Sequence, residues 1–272
     1  MSNTVGSRVV HVNADIIFSS ATEKYYESHA IIEYHALTRV LSGEMRIVQP
    51  DRSYTFIAGD TFLLPRNLPS AVIKQPKDGR PYKSVSIYIK PGRLEDYYKR
   101  HAFKATQPYN NKIKTFDKHL LLESFFASLL PYFEMDEVLP DNIISVKVEE
   151  AISILRNIDE STDNILAYFE EPGKLDLVEF MEKNYMFNLS LEKFGYLTGR
   201  SLTTFKKDFR KIFKIPPGQW LTQKRLELAH YQIFEKRKKP SDVYFDAGFE
   251  NLSHFSFAFK KQFGYNPTSL LS

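Results

Sequence analysis

The 272-residue sequence contains no cysteine, which excludes disulfide bonds, thiolate catalysis and cysteine-ligated metal sites together. It also has no uninterrupted run of about 18 apolar residues, so no membrane-spanning helix is expected. Its first residues, MSNTVGSRVVHVNADII, lack the basic segment and apolar stretch of a secretion signal. These absences predict a protein of the reducing cytoplasm with no membrane partner.

The composition that is present suits two domains with packed cores, since 43% of the residues are hydrophobic. The net charge of +4 hides an asymmetry between the two parts of the chain. Residues 173–272 hold 17 Lys and Arg against 10 Asp and Glu, whereas the other 172 residues hold 20 against 23. A basic part beside an acidic one favours a polyanionic partner, and a solvated charged surface is the alternative.

The chain up to about Lys90 has the pattern of short strands separated by turns. The strand-like segments read ALTRVLSGEMRIV, SYTFIAGDTFLLP and YKSVSIYIK, and the turns between them contain SGE, QPDRS, AGD and PKDGRP. This spacing predicts a β-sandwich or a β-barrel.

Helical periodicity replaces the strand pattern further along. Apolar residues recur at intervals of three and four in FDKHLLLESFFASLLPYF and in DNIISVKVEEAISILRNI. The segment DESTDNILAYFEEPGK has the composition of a linker, with the boundary near Pro172 and Gly173. The sequence thus predicts an α+β protein: an N-terminal domain of residues 1–160, a linker of residues 161–172 and an all-helical domain of residues 173–272.

The stretch AGFENLSHFSFAFKKQFGYNP, residues 247–267, carries five phenylalanines. On a helix, Phe255, Phe259 and Phe263 form one stripe, which we interpret as core, with Ala258 and Gln262 beside it. Asn251 or Ser253 can cap the start of this helix, and Gly264 can end it. The opposite side carries polar residues and one further aromatic ring: Ser253, Ser256, Phe257, Lys260 and Lys261.

The same pattern occurs 50 residues earlier, in RSLTTFKKDFRKIFKIPP. There Phe205, Phe209 and Phe213 take the places of the three stripe residues, and a basic pair and a proline follow in both copies. Each copy comes after a short helical segment and a glycine, in SLEKFGYLTG and PSDVYFDAG. This order is the outline of a helix-turn-helix, and a helix over residues 218–239, with Leu221, Leu228, Ala229 and Ile233 on one side, would join the two motifs.

Residues 173–272 therefore resemble the DNA-binding domain of the AraC/XylS family of bacterial transcription regulators. The most specific match is DAGFENLSHFSFAFKKQFGYNP; the first motif departs from the family at Gly195, where alanine is usual, and at Lys214, where glycine is usual. The N-terminal part resembles the cupin-like β-barrel sensing domain of many members, through HALTRVLSGEMRI and IAGDTFLLPRNLP.

The resemblance implies two helices that enter successive segments of the major groove of double-stranded DNA. The positions matching base-reading residues are Thr203, Lys206 and Lys207 in the first helix and Leu252, Ser253, Ser256 and Phe257 in the second. Phe257 stands where arginine is commoner, and it either contacts thymine methyl groups or packs on a neighbouring helix. The residues suited to phosphate contacts are Thr204, Arg210, Lys211, His254, Lys260 and Lys261.

An enzyme would need a reactive constellation, and the sequence provides none. Metal-binding cupins use several histidines with a glutamate, which makes His35, Glu33 and Glu44 the residues to consider. The segment PRNLPSAV lacks the later histidine of such sites, so we expect no metal, no catalysis and no cofactor. His35 remains a candidate ligand-binding residue of the sensing domain.

Two hypotheses remain open for the control of the regulator. In the first, the N-terminal domain binds a small-molecule effector; in the second, it is a module that dimerises or binds a regulatory protein. The segment VKVEEAISILRN resembles a helix of family members that are regulated by proteins. The helices over residues 117–133 and 144–157 pair two chains in a homodimer or pack on the barrel. RNA polymerase is a further candidate partner, and activation and repression both remain open.

Overall fold

The computed structural model describes residues 7–13, 15–103, 112–133, 139–168 and 171–271. They divide into two compact units: Met1–Glu170 without residues 28–30 and 69–71, and Glu171–Ser272 together with those six residues. The first unit is built from β-sheet and helices, and the second is helical apart from those six residues, which lie in strands. The predicted α+β class is confirmed.

Among the described residues, ten strands form two sheets. The larger sheet has the strand order β1-β2-β9-β4-β7-β10. Its strands are β1 (Ser7–Asn13), β2 (Ile16–Ala21), β4 (His35–Ser42), β7 (Thr61–Leu64), β9 (Tyr82–Ile89) and β10 (Lys114–Phe116). The smaller sheet has the order β3-β8-β5-β6. Its strands are β3 (Tyr25–Ile32), β5 (Glu44–Val48), β6 (Ser53–Ile57) and β8 (Leu68–Gln75).

A tight turn at Gly43 carries the chain from β4 of the larger sheet to β5 of the smaller one. Gly43 has φ +74°, and a Cβ atom there would lie 2.6 Å from the Cα of Tyr82. Only glycine fits this combination of backbone angle and close approach. The predicted turn SGE is therefore confirmed as a turn between strands.

Alternation along β4 explains why the larger sheet is buried on both faces. Ala36 and Val40 point to a core shared by strands of the two sheets, whereas Leu37 points to the core beneath the helices. In β7, Phe62 and Leu63 divide between the same two cores. Because successive side chains alternate between faces, a single strand contributes side chains to both cores.

Four helices cover one face of the larger sheet: α1 (Pro91–Arg100), α2 (Leu120–Leu129), α3 (Asp141–Ile158) and α4 (Asp163–Leu166). The bounds of α3 coincide with the predicted periodic segment. The segment predicted for the other helix, residues 116–133, is longer than α2: it also contains the last residue of β10 and a 3-10 turn, Leu130–Phe133. Neither α1 nor β10 was predicted; β10 has three residues, too few to show an alternating pattern.

The first residues of the predicted linker, 161–166, have helical structure. Residues Glu160–Thr162 form a 3-10 turn, and α4 follows directly. Thr162 and Asp163 are buried, and Ile165 and Leu166 belong to the core beneath the helices. Asp163 accepts a hydrogen bond of 2.6 Å from the Tyr98 hydroxyl, a partner far away in sequence. Within the predicted linker, residues 169–170 lie outside the described residues, and the domain boundary itself stays a prediction.

The second unit contains six α-helices and a closing 3-10 turn, Pro267–Leu270. The helices are α5 (Leu177–Asn184), α6 (Leu191–Leu197), α7 (Leu202–Phe213), α8 (Pro217–Phe234), α9 (Pro240–Asp246) and α10 (Leu252–Phe263). Both predicted helix-turn-helix outlines are present, as α6 with α7 and α9 with α10. The joining helix α8 ends five residues before the predicted end, and Arg237 beyond it has φ +52°.

The packed side of α8 differs in one position from the predicted one. Leu221, Ala229 and Ile233 are buried as expected, but Leu228 is only half-buried and Leu226 is buried instead. Leu226 lies three residues before Ala229 and so shares its face. The side of α8 that packs is therefore rotated slightly from the side that the sequence predicted.

Candidate nucleic-acid interface

The turn of the first motif is shaped by Gly199 and Ser201. Gly199 has φ +65°, and a Cβ atom there would lie 2.5 Å from the carbonyl carbon of Gly173. Ser201 caps α7, and its Oγ accepts a hydrogen bond of 3.3 Å from the backbone N–H of Thr204. The start of α7 is thus set by one close backbone approach and one side-chain cap.

Arg200 connects this turn to the body of α7. Its Nε donates to the Asp208 carboxylate at 3.0 Å, and its Nη1 donates to the carbonyl oxygens of Leu175 at 3.0 Å and Thr198 at 2.7 Å. The hydrogen bond from Arg200 holds the pKa of Asp208 below its ordinary value. The Arg200 side chain is buried, and it orients α7 relative to α6.

One face of α7 is core and the other is exposed. Phe205 and Phe209 are fully buried, and Phe213 is half-buried against Trp220 of α8, with ring centroids 4.9 Å apart. The predicted base-reading and phosphate-contacting residues of this helix are all exposed: Thr203, Thr204, Lys206, Lys207, Arg210 and Lys211.

The second motif repeats this construction with different residues. Gly248 has φ +85°, and a Cβ atom there would lie 2.5 Å from the carbonyl oxygen of Met186. Of the two predicted caps, Asn251 is the one used, since its Oδ1 accepts from the His254 N–H at 2.8 Å. Gly264 ends α10 with φ +87°, as predicted.

Phe255 and Phe259 of α10 are fully buried, and Phe263 is half-buried, so the predicted stripe is confirmed at its first two residues. Gln262, expected beside this stripe, is exposed. The remaining predicted contact residues are exposed, except that Ser256 is half-buried: Leu252, Ser253, His254, Phe257, Lys260 and Lys261.

Phe257 is 71% exposed, which bears on its packing within the described residues, while its contact with thymine stays a prediction. A ring that packed on a neighbouring helix would lose most of this surface. The packing alternative is therefore wrong for this unit. The ring lies on the outward side of α10, together with Ser253 and Lys261.

Arg225 of α8 contacts both the loop before the first motif and the turn of the second motif. Its Nε donates to the Tyr185 carbonyl at 2.8 Å and its Nη2 to the Phe187 carbonyl at 2.7 Å, both in the loop before α6. A Cβ atom at Gly248, in the second turn, would lie 2.9 Å from the same Nε. Burial lowers the pKa of Arg225 to about 10, with Glu250 opposing the shift, so the guanidinium stays charged at neutral pH.

Sequence reasoning did not find Arg200 or Arg225 as positioning residues. Arg200 left a local signal, because it precedes the cap and Asp208 follows about two helical turns later. Arg225 left none, since its carbonyl partners lie 38 and 40 residues away.

The exposed faces of α7 and α10 both carry cations, but they differ in the charge of their predicted base-reading positions. Within the described ranges, Lys206, Lys207, Arg210 and Lys211 have no acidic side chain within ion-pair distance, and the same holds for Lys260 and Lys261. In α7 two of these cations occupy predicted base-reading positions, whereas in α10 all predicted base-reading positions are uncharged. Cations without partners on an exposed helix face are suited to guanine edges and phosphate oxygens.

His35, the candidate ligand-binding residue, is fully buried in the first unit. Its Nδ1 accepts from the Arg66 N–H at 3.2 Å, and its Nε2 lies 3.4 Å from the Tyr168 carbonyl. Burial lowers the pKa of His35 to about 3, so the ring is neutral, and the acceptor role of Nδ1 puts the proton on Nε2. Both ring nitrogens face backbone groups, and this geometry supports a structural role in the core rather than ligand binding.

No cluster of three or more His, Asp or Glu side chains suited to a metal ion occurs in the part of the chain that the structure describes. Among the same residues, no helix has the length and hydropathy needed to cross a bilayer.

Two family models match the chain. The model described as a helix-turn-helix domain covers residues 197–272, which include the whole of the second motif and, of the first, α7 with the turn before it and only the last residue of α6. The model described as the ExsA N-terminal regulatory domain covers residues 35–168.

Curated relatives match over shorter spans. The thermoregulatory protein LcrF of Yersinia pestis is 28% identical over 131 residues, covering 47% of this chain and 48% of LcrF. The HTH-type transcriptional regulator ExsA of Pseudomonas aeruginosa is 32% identical over 89 residues, covering 33% of this chain and 32% of ExsA. The chain thus spans about half the length, or less, of these relatives. Both are regulators, in agreement with the prediction that this chain is not an enzyme.

Among solved structures, apo ToxT from Vibrio cholerae aligns over 100% of this chain and 98% of its own, with TM-score 0.45 and 14% identity. A ToxT structure with an unsaturated fatty acid bound aligns with TM-score 0.42 and 12% identity. At these scores the alignments carry no argument about function.

Proposed function

The chain belongs to the AraC family of DNA-binding transcription regulators, and on that premise we propose that α7 and α10 read two segments of the major groove of double-stranded DNA. The observation that supports this most is the repeated division of each helix into two faces. Phe205 and Phe209, like Phe255 and Phe259, are fully buried, while the opposite faces are exposed and carry no acidic residue.

In α7 the proposed base-reading residues are Thr203, Lys206 and Lys207. A lysine ammonium can bridge O6 and N7 of guanine, and a threonine can contact a thymine methyl group or form a hydrogen bond with a base edge. All three side chains are exposed, and Arg200 and Ser201 hold the helix start that presents them. In α10 the corresponding residues are Leu252, Ser253, Ser256 and Phe257.

The other exposed polar and basic side chains suit phosphate oxygens, which provide affinity without sequence information. They are Thr204, Arg210 and Lys211 on α7 and His254, Lys260 and Lys261 on α10. Sequence-independent contacts of this kind make affinity depend strongly on salt.

A selection of bound sequences from random double-stranded DNA, using the full chain, tests the proposal. We expect enrichment of one sequence with two separate determinants, and a steep loss of affinity as salt is raised. Equal retention of all sequences at low salt would show that the protein binds polyanions without sequence preference. No retention at all would overturn the proposal.

We further propose that residues 173–272 form an autonomous DNA-binding domain. This segment has its own buried cores, one of them around Phe255 and Phe259, and the excess of positive charge. Expressed alone, it is expected to fold and to bind DNA more weakly than a dimer of full chains would. An unfolded fragment would show that the first unit is needed for the core of the second.

Control of DNA binding is assigned to the first unit, with a small-molecule effector as the first hypothesis. The core shared by the two sheets is apolar, with Met45, Phe56 and Val72 among its residues, so an effector that entered it would have to be apolar. A thermal-shift screen against metabolites tests this, because a ligand of the native state raises the melting temperature. Stabilisation by one compound that also alters DNA affinity would support the hypothesis.

Exposed apolar side chains on the helices of the first unit favour the second hypothesis, a contact with protein. Leu120 of α2 is 82% exposed and Val146 of α3 is 65% exposed, and Leu121 and Ile143 are also exposed. The partner would be a second copy of the chain or a regulatory protein, with RNA polymerase as a further contact of the regulator. Sedimentation of the full chain and of a Val146→Lys variant separates these cases: a dimer that dissociates in the variant supports self-association, and a monomer in both excludes it.

A further inference from the structure

The two proposed reading helices differ most at one aligned position. Lys207 of α7 and Phe257 of α10 are 50 residues apart and occupy the same place in the repeat. Each precedes the central buried phenylalanine of its helix, Phe209 or Phe259, by two residues. Two residues correspond to about 200° of helical rotation, so both side chains point almost directly away from the core.

Phe257 is the most exposed phenylalanine among the described residues, at 71%, and makes no ring contact with another of them. Leu252, at the start of the same helix, is 40% exposed. Water is an unfavourable surrounding for an apolar ring, so this surface is suited to covering by an apolar group. The two remaining base-reading positions, Ser253 and Ser256, are uncharged.

The major groove offers one apolar group at the base edges, the C5 methyl of thymine. His254 and Lys261 lie three residues before and four residues after Phe257, and both are exposed. An apolar centre flanked by polar and cationic side chains matches a methyl group flanked by phosphates better than an apolar protein surface. This charge arrangement favours DNA as the group that covers the ring.

We propose that the second motif selects thymine through a contact of Phe257 with its C5 methyl group, whereas the first motif selects guanine through Lys207. The operator would then have two unlike half-sites, one read by charge and one by shape. This inference rests on the proposed function, namely that α7 and α10 both enter the major groove.

The test uses the full chain and its selected duplex, in which each thymine is replaced in turn by deoxyuridine. This change removes only the methyl group and leaves base pairing and O4 intact. Loss of one buried methyl group, about 0.8 kcal/mol, corresponds to about fourfold weaker binding. We expect this loss at one or two thymines of one half-site, and a loss in the other half-site when guanine is replaced by 7-deazaguanine.

Two variants assign the effect to the ring. Phe257→Ser should bind more weakly and lose its response to deoxyuridine, whereas Phe257→Leu should retain part of it. Because the side chain is exposed, both variants should keep the melting temperature of the parent chain. Phe257→Lys should shift the selected base at this position towards guanine.

The outcomes separate this inference from the proposed function. Specific binding that is unchanged by deoxyuridine at every position overturns the methyl contact and leaves the DNA-reading role standing. A response to deoxyuridine that persists in Phe257→Ser also overturns it. Absence of any preferred sequence contradicts the proposed function itself.

Discussion

The two helix-turn-helix motifs share one construction and differ mainly at residues exposed to solvent. Both have a glycine with positive φ in the turn, a polar cap before the second helix and two fully buried phenylalanines. They differ at the C-terminal end of that helix, where Lys214 corresponds to Gly264. They differ again at the centre of the outward face, where Lys207 corresponds to Phe257.

This contrast indicates which residues serve the fold and which serve recognition. Positions that pack against α8 or within a motif are repeated, because the shape of the core allows few alternatives. Most outward positions are not repeated, although they occupy equivalent places on equivalent helices; Leu202 with Leu252 and Lys211 with Lys261 are exceptions. A difference confined to the exposed face is what two helices that read different DNA sequences would show.

The largest expected effect tests whether the two cores are equivalent. Phe209→Ala and Phe259→Ala each remove a fully buried aromatic side chain and should cost about 3–5 kcal/mol of unfolding free energy. Chemical denaturation of the full chain measures both. Phe257→Ala is the matched control, since the same side chain is exposed there and the change should stay within about 0.5 kcal/mol. A small effect of Phe209→Ala alone would mean that the first motif is held mainly by Arg200 and Arg225.

The next effect concerns DNA and sharpens the contrast between base-reading and phosphate-contacting residues. Lys207→Ala should weaken binding to the preferred duplex by about 1–3 kcal/mol and hardly change binding to a scrambled one. Lys261→Ala should weaken both duplexes alike and reduce the salt dependence by about one unit of slope. Affinities measured at several salt concentrations, with both duplexes, distinguish them. Identical behaviour of the two variants would mean that the outward faces are only solvated.

A smaller effect is expected at the helix ends. Lys214 has φ +64°, in the left-handed region that costs a residue with a side chain about 1–2 kcal/mol. Glycine relieves this cost but gains about 0.4–1 kcal/mol of entropy in the unfolded chain. Lys214→Gly should therefore stabilise the protein by about 0.5–1 kcal/mol, and Gly264→Lys should destabilise it similarly. Thermal unfolding of both variants checks this, and a destabilised Lys214→Gly would show that the bond from Lys214 Nζ to the Lys211 carbonyl outweighs the strain.

The smallest effect is the pH dependence of the first turn. The pKa of Asp208 is lower in the folded protein because of Arg200, so the unfolded chain binds more protons as the solution becomes acidic. The contribution of this pair is fully present above about pH 4 and disappears as the pH falls through the folded pKa. The difference in unfolding free energy between the parent and Asp208→Asn should therefore shrink below pH 4. A difference that stays constant from pH 7 to pH 3 would contradict the proposed coupling.

The sequence alone determined the features that depend on neighbours along the chain. Stripes at intervals of three and four residues predicted α3, α7 and α10, and the 50-residue repeat predicted both motifs, because helical packing leaves a local period. Alternation predicted the strands from β4 to β7 and β9 in the same way.

Only the tertiary structure decided the features whose partners lie far away in sequence. No local pattern in the sequence marks Arg225, because it acts by donating hydrogen bonds to two backbone carbonyl groups on a distant segment. From the sequence, His35 is a candidate ligand-binding residue. In the structure its two ring nitrogens face backbone groups, the Arg66 N–H and the Tyr168 carbonyl. Residues 161–166 fall within the predicted linker of residues 161–172, but the hydrogen bond from Tyr98 to Asp163 and the burial of Ile165 and Leu166 in the core hold them in place. In each case the deciding contact forms only after folding brings distant parts of the chain together, so no period along the sequence records it.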